Sequence, residues 1–170
     1  MRFTSNEVPS LVDMEVLNKV SDELKKHHLT LATAESCTGG LLAQLLTNVS
    51  GSSEYFERGV ISYSNKSKIE LLGVPKKLLT KYGAVSEQVA CAMAEGIRTH
   101  AGVDIGISTT GIAGPTGGMK DKPVGLIYVG IATHDGVVVK RFLFSGNRLQ
   151  NKDQACDAAL SLLFETIMNR

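Results

Sequence analysis

Short apolar segments alternate with helical segments over most of the chain, and this alternation limits the folds open to it. Residues 29–35, 58–64 and 104–111 have the buried or β-branched content of strands. The stretch 87–102 carries apolar residues at helical spacing behind Ser86, a suitable N-cap. Parallel strands joined by helices are covered on both faces. The pattern therefore predicts an α/β fold.

The C-terminal part departs from this alternation. Residues 126–144 form two apolar runs around Asp135–Gly136, a strong hairpin signal, and an amphipathic helix is predicted over 153–168. Because a hairpin adds antiparallel strands, we expect a mixed five-stranded sheet with helices on both faces.

Length, charge and cysteine content narrow the class of protein. A chain of 170 residues fits one domain, here 11–170 behind a loose N-terminal arm over 1–10. A net charge of +1 gives no electrostatic footprint for nucleic acid or an anionic membrane. The 3 cysteines form no CxxC pair, which favours a reduced cytoplasmic protein without a zinc site, and no segment has the ~20 apolar residues of a membrane span.

Polar, glycine-containing loops follow each of the first three predicted strands. They read ESCTGG at 35–40, YSNKSK at 63–68 and TGIAGPTGG at 110–118. Ligands in open α/β sheets bind beyond the carboxyl ends of the strands. We therefore expect these loops to form one site.

A nucleophile is the favoured function for the first loop. Ser36 lies where a strand meets a helix and is preferred to the thiol of Cys37, which remains the alternative. Gly39 and Gly40 allow close approach to the backbone, and amides near residues 37–39 would bind an oxyanion. An equally simple interpretation is that Ser36 or Thr38 only caps the helix.

A serine nucleophile needs a base, and the histidines are poorly placed to supply one. They fall at predicted helix ends or at the hairpin turn: His27, His28, His100 and His134. A neutral lysine is the alternative, and Lys68 is preferred to Lys66 because Ile69, Leu71 and Leu72 bring apolar surface beside it. An exposed helix lysine is the competing interpretation.

Two further elements suggest ligand contacts. The glycine-rich loop matches neither a Walker A nor a dinucleotide fingerprint, but such loops bind phosphate or a flat ring against bare backbone. Arg148, at the end of the hairpin and just ahead of the last helix, would fork onto a phosphate and help to keep Lys68 neutral. A surface salt bridge is the other interpretation of Arg148.

Together these motifs resemble the C-terminal domain of the CinA (competence/damage-inducible protein) family, which includes bacterial nicotinamide mononucleotide deamidases. The resemblance covers residues 11–168, and the chain is expected to be a stand-alone version without the extra N-terminal domain of larger CinA-type proteins. It is carried by six motifs in order: TAESCTGG, GVISYSNKSKIELLGV, GAVSEQVA, STTGIAGPTGG, KPVGLIYVGIA and FSGNR. Thr116 and residues 145–147 depart from the family pattern in substrate loops.

The resemblance implies a fold and a chemistry. The fold would be a three-layer α/β/α sandwich similar to anticodon-binding-like domains. The reaction would be hydrolysis of the carboxamide of nicotinamide mononucleotide to nicotinate mononucleotide and ammonia, without metal or organic cofactor. The implied catalytic residues are Ser36, Lys68 and Tyr63. The implied substrate-binding residues are Thr38, Gly39, Gly40, Thr110, Gly111, Ala113, Gly114 and Arg148.

Alternative functions stay open at this point. One is an amidase for a different amide, and another is a catalytically silent module that binds pyridine nucleotides. Nicotinamide mononucleotide is the expected small-molecule partner, nucleic acid and membrane are not expected, and a homo-oligomer is expected.

Overall fold

The computed structural model describes residues 13–170, and the predicted arm over 1–10 lies outside them. The helices are α1 Met14–Lys26, α2 Leu41–Thr47, α3 Asn65–Leu72, α4 Lys76–Tyr82, α5 Glu87–Ala101 and α6 Arg148–Met168. The strands are β1 Leu31–Glu35, β2 Phe56–Ile61, β3 Ile105–Gly111, β4 Leu126–Thr133 and β5 Gly136–Leu143.

The strands form one mixed sheet in the order β2-β1-β3-β4-β5. Strand β1 pairs in parallel with both β2 and β3, whereas the β3–β4 and β4–β5 pairs are antiparallel. The predicted five-stranded mixed sheet is confirmed. Because β4 runs opposite to β3 and β5 runs opposite to β4, β5 is parallel to the first three strands. The carboxyl ends of β1, β2, β3 and β5 therefore lie at the same edge of the sheet.

Helices cover both faces of the sheet and bury two apolar clusters. One face packs against α1, α2 and α6, where Leu31, Leu46 and Leu163 lie in the larger cluster. The other packs against α5 with α3 and α4, and there Ala32 and Ala34 meet Met93 in the smaller cluster. Successive residues of β1 thus point to opposite layers, as strand geometry requires, and the three-layer α/β/α arrangement is confirmed.

Several predicted boundaries shift in ways that concern the polar loops. The second strand was predicted over 58–64 but ends at Ile61, because Ser64 accepts the N–H of Ser67 and begins α3 in a capping box. The last helix was predicted over 153–168 but begins at Arg148, because the Asn147 side chain caps its first turn by accepting the N–H of Gln150. The hairpin turns one residue early, and Gly136 already belongs to β5.

Within residues 13–170, no helix combines the length and the apolar content that a bilayer crossing requires.

Candidate active site

The polar loops after β1, β2 and β3 meet at the shared sheet edge and enclose a cavity of about 340 Å³. The start of α6 completes its wall. The side chains and backbone that line it come from Ser36, Cys37, Tyr63, Lys68, Ala84, Val85, Thr110, Gly111, Ile112, Ala113, Gly114, Thr116, Gly117 and Arg148. No carboxylate is among these residues, whereas two cationic side chains are, so the cavity suits a ligand that carries negative charge.

The amine of Lys68 lies against the hydroxyl of Ser36 inside this cavity. Lys68 Nζ is 3.0 Å from Ser36 Oγ, and the two residues are 1% and 9% exposed. Lys68 Nζ also lies 2.7 Å from the carbonyl oxygen of Ser62 and 3.2 Å from that of Tyr63. These two carbonyls follow β2 directly, because the strand ends before them and the chain turns into α3.

The three contacts of Lys68 suit a neutral amine as well as an ammonium. A neutral amine donates two hydrogen bonds and accepts one, which matches two carbonyl acceptors and one hydroxyl that is able to donate. Burial lowers the pKa of Lys68 from 10.5 to about 8. Among the described residues no carboxylate forms an ion pair with its amine. A proton can therefore pass between Ser36 and Lys68 without leaving either group unbonded.

The apolar surroundings of Lys68 differ from those expected from its neighbours in sequence. Ile69 and Leu71 are 36% and 48% exposed, and only Leu72 of the three is buried. Leu72 lies one helical turn beyond Lys68, on the same inward face of α3. Lys68 is thus buried on the inward face of α3 and is not the exposed helix lysine of the competing interpretation.

A carboxylate, rather than a serine or threonine hydroxyl, caps α2. Glu35 accepts the N–H groups of Gly40, Leu42 and Ala43, at 3.0, 3.1 and 2.8 Å. The N-cap residue Gly40 makes no side-chain cap bond. The interpretation in which Ser36 or Thr38 serves only as the cap is therefore wrong, and the Ser36 hydroxyl remains available to Lys68.

Cys37 lies beside Ser36 in the cavity wall, but its thiol is poorly suited to attack. It is 6% exposed, and burial raises its pKa to about 12. A thiol with such a pKa carries almost no thiolate near neutral pH. The backbone N–H of Cys37 donates to no oxygen acceptor within residues 13–170. It lies near the sulfur of its own side chain, and a ligand oxygen would be a stronger acceptor than that sulfur.

Arg148 connects the loops on either side of the cavity mouth. Its Nη1 donates to the carbonyl oxygen of Gly114 at 2.7 Å, and its Nη2 to the hydroxyl of Tyr63 at 3.1 Å. Tyr63 is 60% exposed, so its ring forms the rim while its carbonyl holds Lys68. No carboxylate pairs with Arg148 in the described chain. The surface salt bridge of the alternative interpretation is not present.

The residues suggested for substrate binding fall into two groups. Gly111, Ala113 and Gly114 line the cavity, as does Thr110, whose hydroxyl donates to the carbonyl of Ala84 at 2.8 Å.

Thr38, Gly39 and Gly40 lie outside that lining. The Thr38 hydroxyl is fully buried and donates to Glu35 at 2.5 Å. Gly39 and Gly40 adopt positive φ angles of 61° and 98°, so their place in the turn is conformational. Contact of these three residues with substrate stays a prediction.

The family model for the CinA C-terminal domain matches residues 13–167. The chain belongs to the CinA family. Among its relatives, the putative competence-damage inducible protein of Thermoanaerobacter pseudethanolicus is 52% identical over 153 residues, which are 89% of this chain and 37% of that protein. The protein of the same name from Moorella thermoacetica is 54% identical over 144 residues, or 85% of this chain and 35% of that protein. The chain thus spans a little over a third of the curated relatives it matches.

Solved CinA structures share the whole fold. A CinA superfamily protein from Klebsiella pneumoniae superposes with a TM-score of 0.89 at 33% identity, covering 92% of this chain and 98% of that one. The competence/damage inducible protein CihA from Agrobacterium tumefaciens gives a TM-score of 0.89 at 35% identity, covering 95% of this chain and 100% of that one. The arrangement described above is therefore that of a CinA C-terminal domain.

Two parts of this CinA-family site were not singled out from the sequence. Ala84 and Val85, between α4 and α5, line the cavity, although their segment was recognised only as a motif. Glu35 begins the first polar loop, and no role for it was predicted. The available signal was its position, since an acid at the end of a fully buried strand needs several hydrogen-bond donors.

Proposed function

We propose that this CinA-family protein is an amidohydrolase that converts nicotinamide mononucleotide to nicotinate mononucleotide and ammonia. The observation that carries the proposal is the buried Lys68 amine 3.0 Å from the Ser36 hydroxyl, with a pKa of about 8 and two carbonyl acceptors. A lysine in this state is a base for a hydroxyl nucleophile, because it is partly neutral near physiological pH.

The reaction begins with attack on the carboxamide. The Ser36 proton passes to the lone pair of Lys68 while Ser36 Oγ forms a bond to the amide carbon. The carbonyl oxygen becomes an oxyanion, and we propose the backbone N–H of Cys37 as its donor, because Cys37 lines the cavity beside Ser36. One such donor contributes roughly 3–4 kcal/mol in other hydrolases. The C–N bond then breaks, the protonated Lys68 returns its proton to the departing nitrogen, and ammonia leaves an ester on Ser36.

Hydrolysis of the ester repeats these steps with water. Lys68, neutral again, takes a proton from water as the hydroxide oxygen bonds to the acyl carbon. The bond from that carbon to Ser36 Oγ breaks, and Lys68 returns the proton to Ser36. The acid product ionises to a carboxylate, and its proton goes to solvent. The chain's own residues complete the cycle, and no metal or organic cofactor is proposed.

The charge of the cavity supports a substrate that carries a phosphate. Arg148 is the cation at the mouth, and its guanidinium is held by neutral groups, the Gly114 carbonyl and the Tyr63 hydroxyl. A phosphate offers it a stronger, charge-assisted partner. Tyr63 lines the cavity, and we propose that its ring contacts the pyridinium ring of the substrate. The expected homo-oligomeric state and cytoplasmic location stay predictions.

Product analysis tests the proposed function. Purified protein is incubated with nicotinamide mononucleotide, and nicotinate mononucleotide and ammonia are measured; equal amounts of both are expected. Ammonia from other amides but not from this one would favour the different amidase. A ligand-induced rise in melting temperature without any product would favour the silent binding module.

Arg148→Ala should weaken binding of the phosphate specifically. Loss of a charge-assisted contact costs roughly 1.5–3 kcal/mol. We therefore expect KM for the mononucleotide to rise about 10- to 100-fold, with a much smaller rise for nicotinamide riboside, which lacks the phosphate. Steady-state kinetics on both substrates measure the difference. Arg141→Ala, an exposed arginine outside the cavity lining, is the control, and equal losses on both substrates would remove Arg148 from phosphate binding.

A further inference from the structure

We propose that Glu35 is a positioning residue that fixes the turn carrying Ser36 and so sets the reactivity of its hydroxyl. The inference rests on the nucleophilic role proposed for Ser36. Glu35 is the residue immediately before Ser36, at the end of β1, and only 1% of it is exposed. A buried carboxylate persists in a core only where donors surround it.

Four donors converge on this carboxylate from one turn of chain. Glu35 Oε2 accepts the Thr38 hydroxyl at 2.5 Å and the N–H groups of Gly40 and Leu42. Glu35 Oε1 accepts the N–H of Ala43 at 2.8 Å. The bonds therefore span the whole connection from β1 to the first turn of α2, with Ser36 inside the loop that they close.

A directed chain of hydroxyl bonds ties the same turn to β3. Because a carboxylate only accepts, the Thr38 hydroxyl donates its proton to Glu35. The bond of 2.7 Å between Thr38 and Thr109 must then run from the Thr109 hydroxyl to Thr38. The carbonyl oxygen of Thr109 also accepts the N–H of Ser36 at 2.9 Å. Thr109 thus holds the turn at two points, the N–H of Ser36 itself and the side chain of Thr38.

Glu35 acts from the other side of the sheet and does not touch the cavity. Side chains alternate along β1, with Leu31 in the cluster under α6 and Ala34 in the cluster under α5. Glu35 points toward α2, whose first turn it caps, and Ser36 points toward α3, where it meets Lys68. Glu35 is therefore separate from the reacting atoms, and its influence passes through the backbone of the turn.

The carboxylate also leaves other groups free for chemistry. If a serine or threonine capped α2, its hydroxyl would be committed to backbone N–H groups. With Glu35 in that place, the Ser36 hydroxyl bonds Lys68 instead, and the N–H of Cys37 keeps no oxygen acceptor within residues 13–170. The position of both groups relative to a substrate carbonyl is then determined by the four bonds of Glu35.

Glu35→Gln tests this role with little change in volume. The amide keeps one acceptor oxygen but presents an NH2 group to the N–H of Ala43, so the turn shifts. Since small displacements of reacting groups lower rates steeply, we expect kcat for nicotinamide mononucleotide to fall about 10- to 100-fold while KM changes less than about threefold. The Lys68-dependent rise of kcat/KM with pH should keep its midpoint near 8, because Lys68 is untouched.

Asp104→Asn is the matched control, because it makes the same change at a distant structural carboxylate. Asp104 accepts the N–H and the hydroxyl of Thr30, at 2.8 and 2.9 Å, just before β3 at the opposite end of the sheet. The Asp104→Asn variant should have a lower melting temperature and an unchanged kcat. Thr109→Val provides a second variant should Glu35→Gln fold poorly. It removes the Thr109 hydroxyl that bonds Thr38 and keeps the Thr109 carbonyl that bonds Ser36. A smaller loss of kcat is therefore expected.

A fluorophosphonate probe separates this inference from the proposed function. In labelling, Ser36 Oγ bonds to phosphorus, fluoride leaves, and the Ser36 proton goes to Lys68. Slower labelling of Glu35→Gln than of wild type supports the positioning role even if nicotinamide mononucleotide is not a substrate. Wild-type kcat and labelling rate in folded Glu35→Gln would overturn the role while leaving the function intact. A wild-type protein that neither turns over nor labels would overturn both.

Discussion

Ser36→Ala should abolish ammonia release from nicotinamide mononucleotide and leave the fold intact. The change removes the oxygen that forms the acyl ester in the proposed mechanism, and in hydrolases loss of the nucleophile lowers kcat by at least about 10⁴-fold. Only one hydrogen bond, that to Lys68, is lost, which costs about 1 kcal/mol. Melting temperature should therefore change by only a few degrees. Ammonia assays and thermal denaturation of the same preparations measure both effects.

Cys37→Ala is the control for this variant, because it removes the neighbouring side chain in the same cavity wall. Its thiol has a pKa raised to about 12 by burial, so its loss should leave kcat within a few-fold of wild type. Reversal of the two results, with Ser36→Ala active and Cys37→Ala inactive, would make the thiol the nucleophile.

Lys68→Met should lower kcat/KM about 10²- to 10⁴-fold, the range that a general base contributes. Methionine fills a similar volume but cannot accept the Ser36 proton. Lys66→Met is the control, since Lys66 extends from the outer face of α3 with its side chain 81% exposed. Comparable losses in both variants would mean that Lys68 has no special role.

The pH dependence of the proposed wild-type activity provides a second test of Lys68 as the base. With a pKa of about 8, about a tenth of the amine is neutral at pH 7. We expect kcat/KM to rise roughly tenfold per pH unit up to pH 8 and then to level, and this limb should be missing from the residual activity of Lys68→Met. A flat profile between pH 6 and 8 would contradict a lysine base.

The lowered pKa of Lys68 also makes the stability of the fold depend on pH. The pKa of Lys68 falls from 10.5 in the unfolded chain to about 8 in the fold, which corresponds to roughly 3 kcal/mol. The buried charge destabilises the folded state by this full amount below pH 8, where Lys68 is protonated in both the folded and the unfolded chain. Above pH 8 the unfolded chain holds more protons, so stability rises toward pH 10.5. The wild type should show this rise relative to Lys68→Met.

The strand and helix pattern predicted most of the fold, because each element carries a local signal. The buried strand β1, the helix α5 behind its cap Ser86 and the β4–β5 hairpin lie close to their predicted positions. Boundaries moved where side chains compete for backbone groups. Ser64 ended β2 early and Asn147 started α6 early, each through a capping box.

The candidate site was only partly accessible to the same reasoning. The loops at one sheet edge followed from parallel topology, and Ser36 followed from its place at a strand end. The burial of Lys68 could not be predicted from local sequence, because its exposed neighbours Ile69 and Leu71 gave the wrong reason for it. The role of Glu35 also depends on packing. The sequence signals only that an acid at the end of a buried strand needs several donors, and the fold determines that the first turn of α2 supplies them.

The depressed pKa of Lys68 exists only in the folded chain, because it results from burial of the amine. In a growing polypeptide on the ribosome the amine is hydrated, keeps its ordinary pKa of 10.5 and holds its proton throughout the physiological range. Ser36, 32 residues earlier in the chain, then has no base. In the proposed mechanism, the Ser36 hydroxyl therefore gains its base only when folding brings the two side chains together.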